Sequence, residues 1–148
     1  MAFKLLLIDD DPNDRDLTIA AIQRSSDALL VVKRSAREAL DYIDELSSSP
    51  NDSPALVFLD LKLPDAGGLE LLAELRRRAS GRHIPVVVFT DSRNEANVAE
   101  SYELGANAYV VKPVAAREFR SVVHATVSFW LNSNTRPRST PRLAHRSR

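Results

Sequence analysis

Five polar side chains of this sequence could together carry chemistry on a phosphoryl group: Asp9, Asp10, Asp60, Thr90 and Lys112. Carboxylates held close together repel one another and raise each other's pKa unless a cation lies between them. Oxygen ligands of this kind suit Mg²⁺, which keeps several of its water ligands when a protein binds it. A lysine ammonium and a threonine hydroxyl beside the metal would complete a site for phosphoryl transfer to Asp60.

Each of these residues has an ordinary structural explanation when it is considered alone. A single aspartate after a strand most often caps the strand or turns the chain. A lysine such as Lys112 commonly forms a structural salt bridge, and a threonine such as Thr90 can bond its own backbone. The chemical interpretation therefore depends on whether the fold brings all of these side chains to one place.

The candidate residues follow short apolar runs that have the character of buried strands. The clearest run is Ala55–Leu59, where five apolar residues lead without a break into Asp60. Such a run, bounded by turn residues, is typical of a strand buried on both faces of a parallel sheet. Similar runs precede the other residues, at 5–8, 85–89 and 108–111. Because the carboxyl ends of parallel strands share one edge, where ligands bind, we expect the side chains to converge there.

Helical periodicity after each strand predicts a helix. The first helix is expected to start at Pro12, behind an Asp11 cap, and to end near Arg24. Its predicted buried stripe consists of Leu17, Ala20 and Ala21. With a further strand at 29–32 and a last helix from about 115 to 131, strand and helix alternate five times. This alternation indicates an α/β fold whose parallel sheet is covered by helices on both faces.

Two local signals mark the ends of other predicted helices. Ser35 and Glu38 have the spacing of a capping box, in which each side chain accepts a hydrogen bond from a backbone N–H near the start of a helix. Gly105 follows a predicted helix at 94–104 and is expected to cap its C-terminal end.

Composition excludes several classes of protein. The chain has 148 residues, of which 44% are hydrophobic and 27% charged, as is typical of one ordinary globular domain. It has no cysteine, so disulfides, thiol catalysis and zinc–thiolate sites are excluded. The apolar run near the N-terminus is too short for a secretory signal, and no stretch has transmembrane length. We therefore expect a cytoplasmic protein without membrane association.

Charge is unevenly distributed between an acidic body and a basic tail. Residues 132–148 contain five arginines and no acidic residue, which leaves 15 basic against 20 acidic side chains in residues 1–131. We predict that 1–131 form one domain and that 132–148 form a disordered tail. The acidic body does not favour specific nucleic-acid binding. The tail leaves open a non-specific, salt-dependent attraction to nucleic acid or to a membrane surface.

The order of Asp9-Asp10, Asp60, Thr90 and Lys112-Pro113 on this β-α pattern resembles the receiver domain of two-component response regulators. The resemblance covers roughly residues 3–131. It implies a doubly wound, flavodoxin/CheY-like α/β fold with five parallel strands in the order 2-1-3-4-5. It also implies that Asp60 accepts a phosphoryl group from a histidine kinase and that Thr90 and Lys112 bind the phosphoryl oxygens.

The same resemblance implies a metal site and a switch. Mg²⁺ would be held by Asp9, Asp10, Asp60 and the backbone carbonyl of Lys62. Tyr109 matches the aromatic position that swings inward as the threonine moves toward the phosphoryl group. A receiver is not an enzyme beyond its own phosphorylation and dephosphorylation.

Two stretches narrow the resemblance to a subfamily. Residues 102–114 and 128–131 look like the stand-alone receivers that serve phytochrome-type histidine kinases. Those proteins commonly form homodimers through the fourth and fifth helices or a C-terminal arm. Phe129 and Trp130 are adjacent and cannot both face one core, so one of them should be exposed as a candidate interface residue.

One residue departs from the family pattern, and two alternative functions remain open. Asp91 follows Thr90 where the family usually has a small residue, and its charge could slow the approach of a phosphodonor or of hydrolytic water. One alternative is therefore a receiver-like interaction module that works without phosphorylation. The other is a phosphohydrolase with an aspartyl-phosphate intermediate, which would need an acid/base carboxylate where this chain has Lys62 and a substrate cap that no insertion supplies.

Overall fold

Five parallel strands form the central sheet, in the order β2-β1-β3-β4-β5. The computed structural model describes residues 3–137. The strands are β1 (Lys4–Ile8), β2 (Leu29–Lys33), β3 (Leu56–Leu59), β4 (Val86–Thr90) and β5 (Ala108–Val111). The predicted α/β class and strand order are confirmed.

A helix follows each strand. These helices are α1 (Pro12–Ser25), α2 (Ala36–Glu45), α3 (Gly68–Arg77), α4 (Glu95–Glu103) and α5 (Ala116–Ser128). Within residues 3–137, no helix is both long enough and apolar enough to cross a membrane.

The core occupies both faces of the sheet, because β3 and β4 are buried along their whole length. One face packs beneath α2 and α3, and the other beneath α1 and α5. On the second face the ring of Phe89 lies 5.6 Å from that of Phe58 and 5.2 Å from that of Phe119. An uninterrupted apolar run therefore marks a strand with packing partners on both sides, as the sequence indicated.

The register of the strands places the candidate residues side by side. Ile8 of β1 pairs with Leu59 of β3, so Asp9 and Asp60 follow at the same level. Thr90 at the end of β4 pairs with Val111 of β5, and Lys112 follows directly. All four side chains therefore originate from the carboxyl edge of the sheet.

Helix α1 buries a different face from the one predicted. Thr18 and Ala21 are buried, whereas Leu17 is 42% exposed and Ala20 is also exposed. Of the predicted stripe, only Ala21 is correct. Thr18 can enter the core because its hydroxyl donates to the backbone carbonyl of Asp14 at 2.8 Å, so no polar atom is left without a partner.

The local signals at the helix ends are confirmed, one of them with a change of partner. Ser35 caps α2, and its hydroxyl accepts from the N–H of Glu38 at 3.1 Å. The Glu38 carboxylate accepts from the N–H of Arg34, one residue before the cap. Gly105 follows α4 with a φ of +107°, a conformation that residues with a Cβ rarely adopt.

The C-terminal helix extends slightly past the predicted end of the domain. A π-helical turn, Phe129–Ser133, continues α5 and carries the chain two residues beyond Leu131. The Arg136 guanidinium then lies over the Phe3 ring, 4.6 Å from its centre. Residues 138–148, where most of the predicted disordered tail falls, lie outside the described residues, so the tail stays a prediction.

Candidate functional site

The Lys112 ammonium is the centre of the site. Its Nζ atom lies 3.0 Å from Oδ2 of Asp60, 3.0 Å from Oδ2 of Asp9 and 3.0 Å from Oδ2 of Asp14. Lys112, Asp9 and Asp60 are all buried. The fold therefore joins three of the predicted site residues in one hydrogen-bonded cluster, although they are far apart in sequence.

Backbone hydrogen bonds fix the positions of these residues at the ends of their strands. The Asp60 N–H donates to the carbonyl of Ile8 at 2.9 Å, and the Lys112 N–H donates to the carbonyl of Thr90 at 2.8 Å. Asp9 is tied to the neighbouring β2 in the same way, since its N–H donates to the carbonyl of Lys33 at 3.1 Å. The side chains thus extend from the ordered edge of a sheet and not from a free loop.

Burial and charge have opposing effects on this cluster. Burial raises the pKa of Asp9 to about 6, because the Lys112 charge only partly offsets the loss of water and the Asp60 charge adds to the effect. Burial alone would lower the pKa of Lys112, but the Asp60 and Asp9 charges outweigh it and hold that pKa above its ordinary value. One ammonium is shared by three carboxylates, so the cluster keeps an excess of negative charge.

Thr90 ends β4 with its hydroxyl oxygen buried and without a hydrogen-bond partner. Buried hydroxyls in folded proteins nearly always have a partner, and an orphaned one often indicates a missing ligand or a functional role. The backbone N–H of Lys112 donates to the Thr90 carbonyl, so the two residues lie side by side at this edge of the sheet. The hydroxyl is therefore available to an oxygen-bearing group that enters the site.

The loop after Asp60 is tightly constrained. The Lys62 N–H donates to Oδ1 of Asp60 at 3.2 Å, so the carboxylate is held from both sides. The Gly68 N–H donates to the carbonyl of Leu61 at 2.9 Å. A Cβ at Gly68 would lie 2.6 Å from the backbone oxygen of Asp60, so only glycine permits α3 to start this close to the site.

A second carboxylate, Asp65, attaches this loop to α2. Its Oδ1 accepts from the N–H of Ala36 and its Oδ2 from the N–H of Arg37, both at 3.0 Å. These two N–H groups belong to the first turn of α2, where backbone donors have no partner within the helix. Hydrogen bonds from Arg37 and Ala36 hold the pKa of Asp65 below its ordinary value.

Asp10 is the predicted site carboxylate that is not brought into the cluster. Its side chain is exposed, and its backbone carbonyl accepts from the Arg15 guanidinium at 3.3 Å. Across the described residues, no three His, Cys, Asp or Glu side chains are arranged to hold a metal ion. The Lys112 ammonium lies among the carboxylates instead. The donor set nevertheless fits a hard divalent cation, because the clustered carboxylates exceed the single positive charge.

Tyr109 lies on β5 beside the site, and its side chain is half-buried. Its hydroxyl donates to the backbone carbonyl of Ser92 at 2.9 Å, in the loop between Thr90 and α4. The Ser92 hydroxyl in turn accepts from the Asn97 side-chain amide of α4 at 2.8 Å. A short path of contacts thus links β5, the strand that precedes Lys112, to the start of α4.

Asp14 is a site residue that sequence reasoning missed. The sequence offered one signal, which was its position in the first turn of the helix that follows Asp9 and Asp10. That signal is not specific, because acidic residues are common in the first turn of a helix, where they interact favourably with the helix dipole. The contact to Lys112 spans 98 positions of the chain and could not be read from local spacing.

The sequence also singled out Asp91 and the adjacent aromatic residues Phe129 and Trp130. Asp91 is exposed. Phe129 is 51% exposed, whereas Trp130 is half-buried and packs against the core beneath α1 and α5. The expectation that one of the two aromatic residues is exposed is confirmed, and their rings meet edge to face at 5.0 Å.

Comparison with known proteins identifies a matching family and a similar relative. The sequence model of the response regulator receiver domain matches residues 5–124. Response regulator Rcp1 of Synechocystis is 35% identical over 135 residues, which make up 90% of this chain and 92% of Rcp1. The chain and this relative are therefore similar along nearly their whole lengths.

Two solved structures are similar in fold and sequence. The phosphorylated cyanobacterial phytochrome response regulator RcpA has a TM-score of 0.84 and 33% identity, with 93% of this chain and 99% of that chain covered. The Mn²⁺-bound form of Rcp1 has a TM-score of 0.81 and 34% identity, with 91% and 99% covered. From the matched family, the full-length relative and the shared fold, we conclude that the chain belongs to the response regulator receiver domain family, whose members act in phosphorylation-based signalling.

Proposed function

We propose that Asp60 accepts a phosphoryl group from the histidine of a kinase. The contact between Lys112 Nζ and Asp60 Oδ2, at 3.0 Å in a buried site, is the observation that carries this proposal. An ammonium held against the acceptor carboxylate can bind an oxygen of the incoming phosphoryl group. The orphaned Thr90 hydroxyl at the same edge supplies a second hydrogen-bond donor.

The transfer forms one bond and breaks one bond. An oxygen of the Asp60 carboxylate bonds to phosphorus while the bond between phosphorus and the kinase imidazole nitrogen breaks, which yields an acyl phosphate and releases the imidazole. Three charged phosphoryl oxygens then occupy the site, where Lys112 and Thr90 bind them. The protein contributes mainly by positioning the reacting groups and by stabilising their charge.

Receiver domains bind a divalent metal, and a relative was solved with Mn²⁺. We propose Mg²⁺ for this chain, held by Asp9, Asp10, Asp60 and the backbone carbonyl of Lys62. The metal would neutralise charge on the transferring group. The excess of carboxylates over ammonium in the site supports this choice, and Asp10 would have to turn inward to take part.

Phosphorylation would then bias the contacts that lead away from the site. We propose that Thr90 moves toward the phosphoryl oxygens and that Tyr109, bonded to the Ser92 carbonyl, transmits the change to the start of α4. Partners that bind the surface around α4 would distinguish the two states.

Receiver domains interact with histidine kinases, and the similarity to RcpA supports a kinase of the phytochrome type as the partner. We further propose a cytoplasmic location, where the chain would encounter such a kinase domain.

We also propose that the chain forms a homodimer in which exposed Phe129 and neighbouring Trp130 contribute to the interface. Analytical ultracentrifugation of the full chain and of Phe129→Ser tests the dimer, which the substitution should weaken.

The intact mass of the protein after incubation with Mg²⁺ and acetyl phosphate tests the phosphoryl-transfer function. We expect one phosphoryl adduct that disappears when Mg²⁺ is chelated and in Asp60→Asn. Asp41→Asn, a change of the same kind at an exposed position of α2, is the matched control and should keep the adduct. A folded wild-type protein that takes no phosphoryl group from acetyl phosphate or from a kinase would instead support an interaction module that works without phosphorylation.

A further inference from the structure

The Lys112 ammonium has three N–H bonds, and three carboxylates accept them. Two of the carboxylates, Asp9 and Asp60, follow the strands that form the site, whereas Asp14 comes from the first turn of α1. All three N–O distances are 3.0 Å. The lysine therefore has no free donor until one of these contacts is exchanged.

We propose that Asp14 is a positioning residue that holds Lys112 in place during phosphoryl transfer. The inference rests on the proposed function of Asp60 as phosphoryl acceptor. It assigns a role in that reaction to a residue outside the five polar side chains that first indicated the site.

The three carboxylates differ in their roles in the proposed reaction. Asp60 becomes an acyl phosphate, so its carboxylate charge is lost as the new oxygen–phosphorus bond forms. Asp9 is a candidate metal ligand and would share its charge with a bound cation. Asp14 is neither the phosphoryl acceptor nor a candidate metal ligand. Lys112 can therefore keep its contact with Asp14 while it exchanges its contact with Asp60 for one with a phosphoryl oxygen.

The position of Asp14 is itself well fixed. Asp11 caps α1 and accepts from the Asp14 N–H at 3.4 Å, and the Asp14 carbonyl accepts from the buried Thr18 hydroxyl at 2.8 Å. The Asp14 side chain is only 23% exposed. A carboxylate held in this way on a packed helix can restrict the long, flexible lysine side chain.

Loss of this contact should slow the reaction without weakening the binding of a donor. Lys112 would keep two contacts, and once Asp60 is consumed it would be oriented by Asp9 alone. A misplacement of about 1 Å in a reacting site can cost about a hundredfold in rate, so a partial loss of orientation should cost about tenfold. The Asp14 charge also repels anionic donors, so its removal should not raise the half-saturating concentration of the donor.

The first test compares wild type with Asp14→Ala and Asp16→Ala at varied acetyl phosphate and saturating Mg²⁺. Asp16 is exposed on the same helix and controls for the change of charge. We expect the maximal phosphorylation rate to fall about tenfold in Asp14→Ala and to change less than twofold in Asp16→Ala. The half-saturating concentration of acetyl phosphate should stay level or fall in Asp14→Ala. Equal maximal rates in the two variants would overturn the role of Asp14 and leave the function of Asp60 intact.

The second test observes Lys112 directly and does not require phosphorylation. A buried ammonium with three carboxylate partners should show slowly exchanging protons in ¹H–¹⁵N NMR spectra selective for lysine side chains, and Lys112→Arg identifies the signal. The signal should be lost or strongly broadened in Asp14→Ala and retained in Asp16→Ala. An unchanged signal in Asp14→Ala would overturn the inference, even if wild type took no phosphoryl group and the proposed function had failed separately.

Discussion

Lys112 Nζ and Asp60 Oδ2 form a buried ion pair at 3.0 Å, in which the lysine is also bonded to two further carboxylates. The ammonium is therefore the one cation that compensates this acidic cluster within the described residues. Its removal would leave buried carboxylates without a counter-charge, which is among the most destabilising changes that a single substitution can make.

Lys112→Met should accordingly lower the free energy of unfolding by about 3 kcal/mol at pH 7. Lys62→Met is the control, because Lys62 is exposed, and it should change the free energy of unfolding by about 0.5 kcal/mol or less. Urea denaturation followed by circular dichroism measures both. Equal effects of the two substitutions would contradict the central place of Lys112 in the cluster.

Thr90→Val should separate stability from signalling. The Thr90 hydroxyl is buried without a partner, so an isosteric methyl group removes an unsatisfied polar atom and should leave stability unchanged or raise it by about 1 kcal/mol. Thermal denaturation would measure this change. The same variant should lose the effect of phosphorylation on the surroundings of Tyr109, monitored by NMR. A clear loss of stability would mean that the hydroxyl has a partner in solution.

Arg76 supports the end of α4 that is far from the site. Its guanidinium donates to the Gly105 carbonyl at 2.7 and 3.0 Å and to the Ile84 carbonyl at 2.7 Å. Arg76→Ala leaves these carbonyls without a donor and should cost about 2 kcal/mol in unfolding free energy. Arg76→Lys should recover less than half of that loss, because an ammonium lacks the planar fork of donors.

Arg77→Ala is the matched control for Arg76→Ala, since Arg77 is the exposed neighbour and pairs only with Glu74 among the described residues. Urea denaturation should show a change of about 0.5 kcal/mol or less for this control. If Arg76→Ala were as mild, the guanidinium could not be a main support of the turn at Gly105.

Asp65 should make a contribution to stability that depends on pH in a defined direction. Its pKa is lowered from an ordinary value of 3.8 by hydrogen bonds from Arg37 and Ala36. A group whose folded pKa is depressed stabilises the protein fully above its unfolded pKa, and this stabilisation is lost as the pH falls through the folded pKa. Asp65→Asn should therefore be less stable than wild type at pH 7 and at pH 5, and the difference should shrink below about pH 4.

Urea denaturation of wild type and Asp65→Asn at several pH values measures this difference. Asp41→Asn, with an exposed carboxylate on α2, should show no such trend. A difference between wild type and Asp65→Asn that persisted unchanged at pH 3 would show that the attachment of the loop to α2 does not depend on the ionised carboxylate.

Local sequence determined the strands and the identity of the polar residues at their ends. Runs such as Ala55–Leu59 and Val86–Phe89 are apolar at every position because both faces of the strand are covered, and this pattern needs no knowledge of the partners. Since parallel strands end at one edge, the convergence of Asp60 and Lys112 followed from the pattern as well. The Gly105 cap could also be predicted from local sequence, because only this one residue has to adopt a positive φ.

The tertiary structure alone decided which side chains meet across the elements. Helix α1 is only weakly amphipathic, so its sequence does not determine which face is buried. Packing against α5 and the sheet buries Thr18 and leaves Leu17 exposed. The contacts of Asp14 with Lys112 and of Asp65 with Ala36 join residues 98 and 29 positions apart. Such pairs depend on helix rotation and loop path, which are set by the packing of the whole core and not by the spacing of nearby residues.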